Sequence, residues 1–183
     1  MSENFSGIST NNSNKKLKIL NKSYFQLINI ISSTIEMMIE ENKKLPNYRL
    51  ILHSQAELIF AGKSLPNFSL FDYIKRIANY TEINQSTLII SLIYIDKFCE
   101  LTNLILTPYN IHRLICSSIL CAIKFNEDNH FKIKFYAEIF GVCCIELRKL
   151  EKKFAEMIEF NFYVNQKLFI QYKNYLLKLK GRN

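Results

Sequence analysis

The chain has little with which to turn. Four glycines and three prolines are spread over 183 residues, whereas an all-β sandwich or barrel needs a turn signal about every 8–12 residues. The sequence offers apolar residues at helical spacing instead, so the expected class is all-α. Hydrophobic residues make up 49% of the chain, which suits a globular core, and the length suits about one domain.

Residues 1–14 are polar and rich in Ser and Asn, and read as a disordered tail without the features of a signal peptide. From 17 to 39, Leu20, Tyr24, Leu27, Ile31, Ile35 and Met38 recur on one helix face. "ENKKLPNY" ends that helix. Residues 49–61 are apolar but of undecided form, a short helix being one option, and "AGKSLPNFS" is a loop. Ser69 is placed to cap a helix running to 80, and Asn84 to cap "QSTLIISLIYIDKFCEL". Thr107-Pro108 supplies a cap followed by proline at the first helical position, starting a helix that runs to 125. After the loop "NEDNH", a short helix covers 131–140 with Gly141 as its C-cap. A strongly patterned helix covers 143–159, and after "FNFYVN" a last amphipathic helix covers 166–179. The sequence has no internal repeat.

Few residues suggest chemistry. Gly62-Lys63-Ser64 has the ending of a phosphate loop, but Glu57 stands where that motif requires its first glycine, so the nucleotide-binding reading fails. Cys99, Cys116, Cys121, Cys143 and Cys144 show no C-x-x-C spacing, and their odd number fits reduced thiols in a cytoplasmic or nuclear protein. The three histidines lie far apart and form no metal-ligand pattern. There is no acid–base cluster, nucleophile–base spacing or cofactor loop, so an enzyme, a cofactor, a metal and a small-molecule substrate are not expected. No run reaches the roughly 18 apolar residues of a membrane span. The formal charge of +8 gathers at the ends, in Lys15, Lys16, Lys18 and Lys22 and in Lys173, Lys178, Lys180 and Arg182. Solvated tails account for that distribution; nucleic acid, an anionic surface or an acidic protein would be the functional alternatives.

Two helical wheels are more informative. At about 100° per residue, the 107–125 helix is apolar almost all round, through Leu114, Ile115, Cys116, Ile119, Leu120, Ala122 and Ile123. Such a helix belongs at the centre of a domain. Its exception is a narrow polar line through Arg113, Ser117 and Lys124. On the 143–159 helix, Leu147, Leu150, Phe154, Met157 and Ile158 form the apolar face, and Arg148, Lys149, Lys152, Lys153, Glu156 and Glu159 the opposite one. Glu151 breaks this division by falling between Ile158 and the small residues Cys144 and Ala155. A carboxylate there needs a partner. Lys124 is a candidate; the bland readings are a solvent-seeking lysine and an edge glutamate that reaches water.

Together with "FSLFDYIKRIANYTEIN" (68–84), "LIYIDKF" (92–98), "LTPYNIHRLICSSILCAIKFNED" (106–128), "YAEIFGV" (136–142) and "IELRKLEKKFAEMIEFNFYV" (145–164), these residues resemble a cyclin, and more narrowly a Pho80-like (P/U-type) cyclin. "ISSTIEMMIEEN" (31–42) is similar to the family's leading helix. The resemblance implies one five-helix cyclin box with an added N-terminal helix and a C-terminal helix. The corresponding division is 1–16 tail, 17–66 N-terminal extension, 67–164 box and 165–183 C-terminal helix and tail. It also implies a function, binding and activating a cyclin-dependent protein kinase, Pho85-like or other. Lys124 and Glu151 match the family's lysine and glutamate that meet the kinase C-helix, and Asp96 of "YID" matches a supporting acid. Arg113, on the polar line, and the apolar neighbours Phe125, Leu147 and Phe154 complete the expected kinase-binding set; these and Ile145 would add buried area to an interface, although most of them suit the core better. The Met-Arg-Ala-Ile-Leu box of mitotic cyclins is absent, "LPNFSLFDYI" taking its place, so substrate docking through that patch is not implied. "IFG" replaces a frequent Gly-Gly pair, and Ile133 a frequent Asn. Two rival readings remain at this level. One is a DNA-binding cyclin fold of the TFIIB type, which ordinarily needs two repeats; the other is a scaffold that keeps the fold without a kinase.

Overall fold

A computed structural model describes residues 21–55 and 59–180. The expected 1–14 tail lies outside the described residues. Among them are eight helices and no strand: α1 Lys22–Lys43, α2 Tyr48–Gln55, α3 Leu70–Thr81, α4 Gln85–Thr102, α5 Ile111–Asn126, α6 Ile133–Phe140, α7 Cys144–Met157 and α8 Gln166–Lys180. The all-α expectation holds, with α3–α7 as the five-helix set and α1 and α8 as the added helices. The undecided stretch after residue 48 contributes the short α2, which buries none of its residues.

Capping decides where the helices begin. Asn21 accepts from the Tyr24 amide at 2.8 Å and caps α1, which starts at Lys22; residues 17–20 of the expected helix lie outside the described residues. Ser69 accepts from the Asp72 amide at 3.0 Å and starts α3 as expected. Thr107-Pro108 does not start α5. Asn110 instead folds its side chain back, accepting from the Thr107 amide at 2.9 Å and donating to the Ile105 carbonyl at 2.8 Å. These bonds make residues 107–110 a turn, and the helix begins at Ile111. Gly141 ends α6 with φ 73°, and the Val142 amide closes onto the Ala137 carbonyl at 3.1 Å. That is the left-handed helix end for which glycine is suited.

α5 is the central helix, buried without a break from Leu114 to Ile123 and packed between α4 and α7. α3 lies against α1 and α6, α6 also meets α7, and α8 lies across α1 and α4. Between α4 and α7, Phe98 and Phe154 stack at 5.0 Å, with Phe60 edge-on to Phe98 at 5.0 Å. Among the described residues, no helix is long and apolar enough to cross a membrane.

Candidate functional site

Two ion pairs join α5 to α7. Near the start of both helices, Arg113 donates from Nε and Nη2 to Glu146 Oε1 at 3.0 and 2.6 Å, and from Nη1 to the Ala61 carbonyl at 2.6 Å. In the last turn of α5, Lys124 Nζ lies 2.5 Å from Glu151 Oε1. A cation in that turn is favoured by the helix dipole. The two charges that each interrupted an apolar pattern are therefore each other's partner. Ser117, the middle residue of the polar line, is fully buried and donates to the Arg113 carbonyl at 2.7 Å. The line is thus two separate bridges, not a strip of surface.

The Lys124–Glu151 pair remains accessible, with side chains 40% and 20% exposed. Lys124 has three donors, and this bond uses one of them. Beside the pair is a groove of about 480 Å³, bounded by Cys121 and Phe125 of α5, Arg148, Glu151, Lys152 and Ala155 of α7, and Phe160 and Phe162 beyond it. Phe125 and Phe160 are 57% and 65% exposed. Phe160 is turned out by consecutive left-handed residues, Glu159 (φ 55°) and Phe160 (φ 54°). Tyr94 and Lys97 of α4 hold the following segment by donating to the Phe162 carbonyl at 2.6 Å and the Asn161 carbonyl at 2.8 Å. Burial, followed by the nearby Glu151 carboxylate, pushes the Cys121 thiol up to about 12, so the groove presents a neutral thiol.

Sequence reasoning missed Glu127, which caps the C-terminal end of α5. Its carboxylate accepts from the Asn84 amide at 3.0 Å, Asn84 Nδ2 at 2.6 Å and the Thr87 hydroxyl at 2.5 Å. Asn84 does stand at the N-cap of α4, but its side chain makes no capping bond to that helix. It gives its amide to Glu127 instead. This clamp ties the start of α4 to the end of α5 three residues after Lys124. No local pattern announces it, because "NED" reads as an ordinary polar loop.

The other expected residues fall in different places. Leu147 and Phe154 are 0% exposed and belong to the core. Their assignment as kinase contacts is corrected: α7 points them inward against α5 and α4, so they cannot touch a partner. Phe125 and Phe160 are the exposed aromatic groups at the groove, and Ile145 is exposed near the start of α7. Asp96 does not line this groove. It accepts from the Tyr172 hydroxyl of α8 at 2.6 Å, and burial raises its carboxyl although that bond works the other way. Gly62, of the rejected phosphate loop, donates its amide to the Tyr109 carbonyl at 2.7 Å, and that N–H is committed to the loop.

The chain matches the sequence pattern of the Cyclin family over residues 9–162. It is 27% identical to Cyclin-P3-1 of Oryza sativa subsp. japonica over 152 residues, covering 83% of this chain and 64% of that protein. It is 30% identical to Cyclin-U4-1 of Arabidopsis thaliana over 154 residues, covering 84% of this chain and 75% of that protein. With Cyclin-U3-1 of Arabidopsis thaliana the identity is 35% over 111 residues, or 61% of this chain and 50% of that protein. The family match takes in α1 through α7, with both ion pairs and the clamp. The chain belongs to the cyclin family, and it is similar to the P- and U-type plant members.

Proposed function

We propose that this chain is the regulatory subunit of a cyclin-dependent protein kinase and does no chemistry itself. It binds the kinase and holds the kinase C-helix inward, so that the Lys–Glu ion pair of the kinase active site forms. The observation that carries this reading is the accessible Lys124–Glu151 pair at the edge of an apolar groove. Lys124 donates to the kinase helix, and Glu151 orients Lys124 and accepts from kinase amides. Phe125 and Phe160 supply apolar anchors. Arg113 and Asp96 act at one remove, Arg113 by fixing α7 to α5 and Asp96 by holding α8. Residues 67–164 form the binding unit, and the flanking helices brace it.

Activation of this kind is a population shift. Moving a kinase from about 1:99 to 99:1 in favour of its active form takes about 5.5 kcal/mol of differential affinity. An interface of about 1,600 Å² with a few buried anchors can supply that.

The pair should matter far more to binding than to folding. Partly exposed, it contributes about 0–1 kcal/mol to the fold. Desolvated at an interface, truncation of one member costs about 2–5 kcal/mol. Lys124→Ala and Glu151→Ala should therefore lower affinity for the cognate kinase by at least about thirtyfold, while thermal unfolding stays near that of the parent. The measurement is titration calorimetry and a kinase assay against recombinant cyclin-dependent kinases of the source organism. Normal activation by both variants would refute the assignment.

A further inference from the structure

The charges of α7 do not balance on its outer side. Glu146 is taken by Arg113, and Glu151 by Lys124. Glu156 is shared at 3.8 and 3.9 Å between Lys152 and Lys153. Arg148 and Lys149 have no ion-pair partner among the described residues. Arg148 and Lys152 are spaced i, i+4, as are Lys149 and Lys153, and like charges at that spacing oppose helix formation. The folded chain alone gains nothing from this arrangement. Two of these cations, Arg148 and Lys152, stand at the groove that also holds Phe125, Phe160 and Glu151.

We propose that Arg148 and Lys152 select the partner, admitting a helix that carries carboxylates beside its apolar anchors and rejecting a basic one. This rests on the kinase-binding reading and names the chemistry that the kinase must present. An apolar concavity with charged margins suits an amphipathic helix laid in a groove. Carboxylates at its edge pair with the two cations, and lysines there meet repulsion, so discrimination has an attractive and a repulsive part. A nucleic acid fits less well, because the groove between the two cations is lined chiefly by apolar groups, Phe125, Ala155, Phe160 and Phe162, which suit the anchors of a helix and not a phosphate backbone. Charges at an accessible margin act over roughly a Debye length, so the preference weakens with salt.

The test uses the full chain and three synthetic helical peptides with the same leucine anchors, differing only in Glu, Gln or Lys at the flanking positions. Fluorescence anisotropy at low and high salt should show the Glu peptide binding about tenfold tighter than the Gln peptide, the Lys peptide weakest, and the gap narrowing with salt. The double variant Arg148→Glu/Lys152→Glu should invert the order, and Arg148→Gln/Lys152→Gln should abolish it. With recombinant kinase, the neutral double variant should lose about tenfold in affinity and flatten the salt dependence. Equal binding of the Glu and Gln peptides, no binding of either, an order unchanged in the variants, or a preference for duplex DNA would overturn the proposal. If Lys124→Ala abolishes kinase activation while Arg148→Gln/Lys152→Gln leaves affinity unchanged, the kinase reading stands and this inference falls. If Lys124→Ala activates normally, the kinase reading itself fails.

Discussion

Glu127→Ala removes the clamp between α4 and α5. A simple sum over three hydrogen bonds to a charged group, at about 1.5–3 kcal/mol each, would exceed 4 kcal/mol. The structure argues for less. The Asn84 amide and side chain are at an exposed site, so both can turn to water. Thr87 cannot: it is 2% exposed, and its hydroxyl loses its carboxylate partner inside the fold. One orphaned buried hydroxyl costs about 1–3 kcal/mol, and with the lost charge-assisted bond the expected total is about 3 kcal/mol. For a chain of this size that lowers the melting temperature by about 6–12 °C. Calorimetry and urea unfolding measure it, with Asp128→Ala as the control. Asp128 is the exposed next residue and carries the same charge, so its removal should stay within about 0.5 kcal/mol. Adding Thr87→Val should recover part of the loss in the Glu127→Ala background and none in the parent. If Glu127→Ala and Asp128→Ala behave alike, the clamp does not hold α5 to α4. Where it does, the variant also frees the turn that presents Lys124, and kinase activation should fall with stability.

Two further outcomes test the core. Phe154→Ala removes a fully buried ring stacked on Phe98, and should lower the unfolding free energy by about 3–5 kcal/mol in urea titration; a loss under about 1 kcal/mol would mean the ring is not packed there. Burial among Phe68 and Tyr73 leaves both His112 nitrogens unpaired and lowers its pKa from 6.5 to about 4. The unfolded chain then binds the extra proton first, so stability falls as pH drops from about 6.5 towards 4. His112→Phe should remove that slope in urea unfolding at pH 7 and pH 4.5, and equal slopes in both proteins would refute the neutral burial of His112.

Most of the helices were legible because they bury a face repeating at 3.6 residues, and α2, which buries none of its residues, was not. Their starts were less so, because capping is a contest between neighbouring side chains. Thr107-Pro108 carries a good start signal and still loses to Asn110, which satisfies the backbone of residues 105 and 107 before the helix can form. The site was legible at its two misplaced charges, since Lys124 and Glu151 each break a pattern. The wheel had also put Leu147 and Phe154 on the apolar face. Counting them as contacts rested on their nearness in sequence to Glu151, with the core as the alternative, and the structure puts both in the core.

Sequence by itself determined the all-α class, the central place of α5 and the two charges that needed a partner, because periodicity and composition act within one helix. Tertiary structure decided which charges meet. Lys124 and Glu151 are 27 residues apart, Arg113 and Glu146 are 33, and Asn84 and Glu127 are 43. Bonds over such separations depend on how α4, α5 and α7 pack, and a 3.6-residue repeat shows which face is apolar without showing which residues of another helix will lie against it.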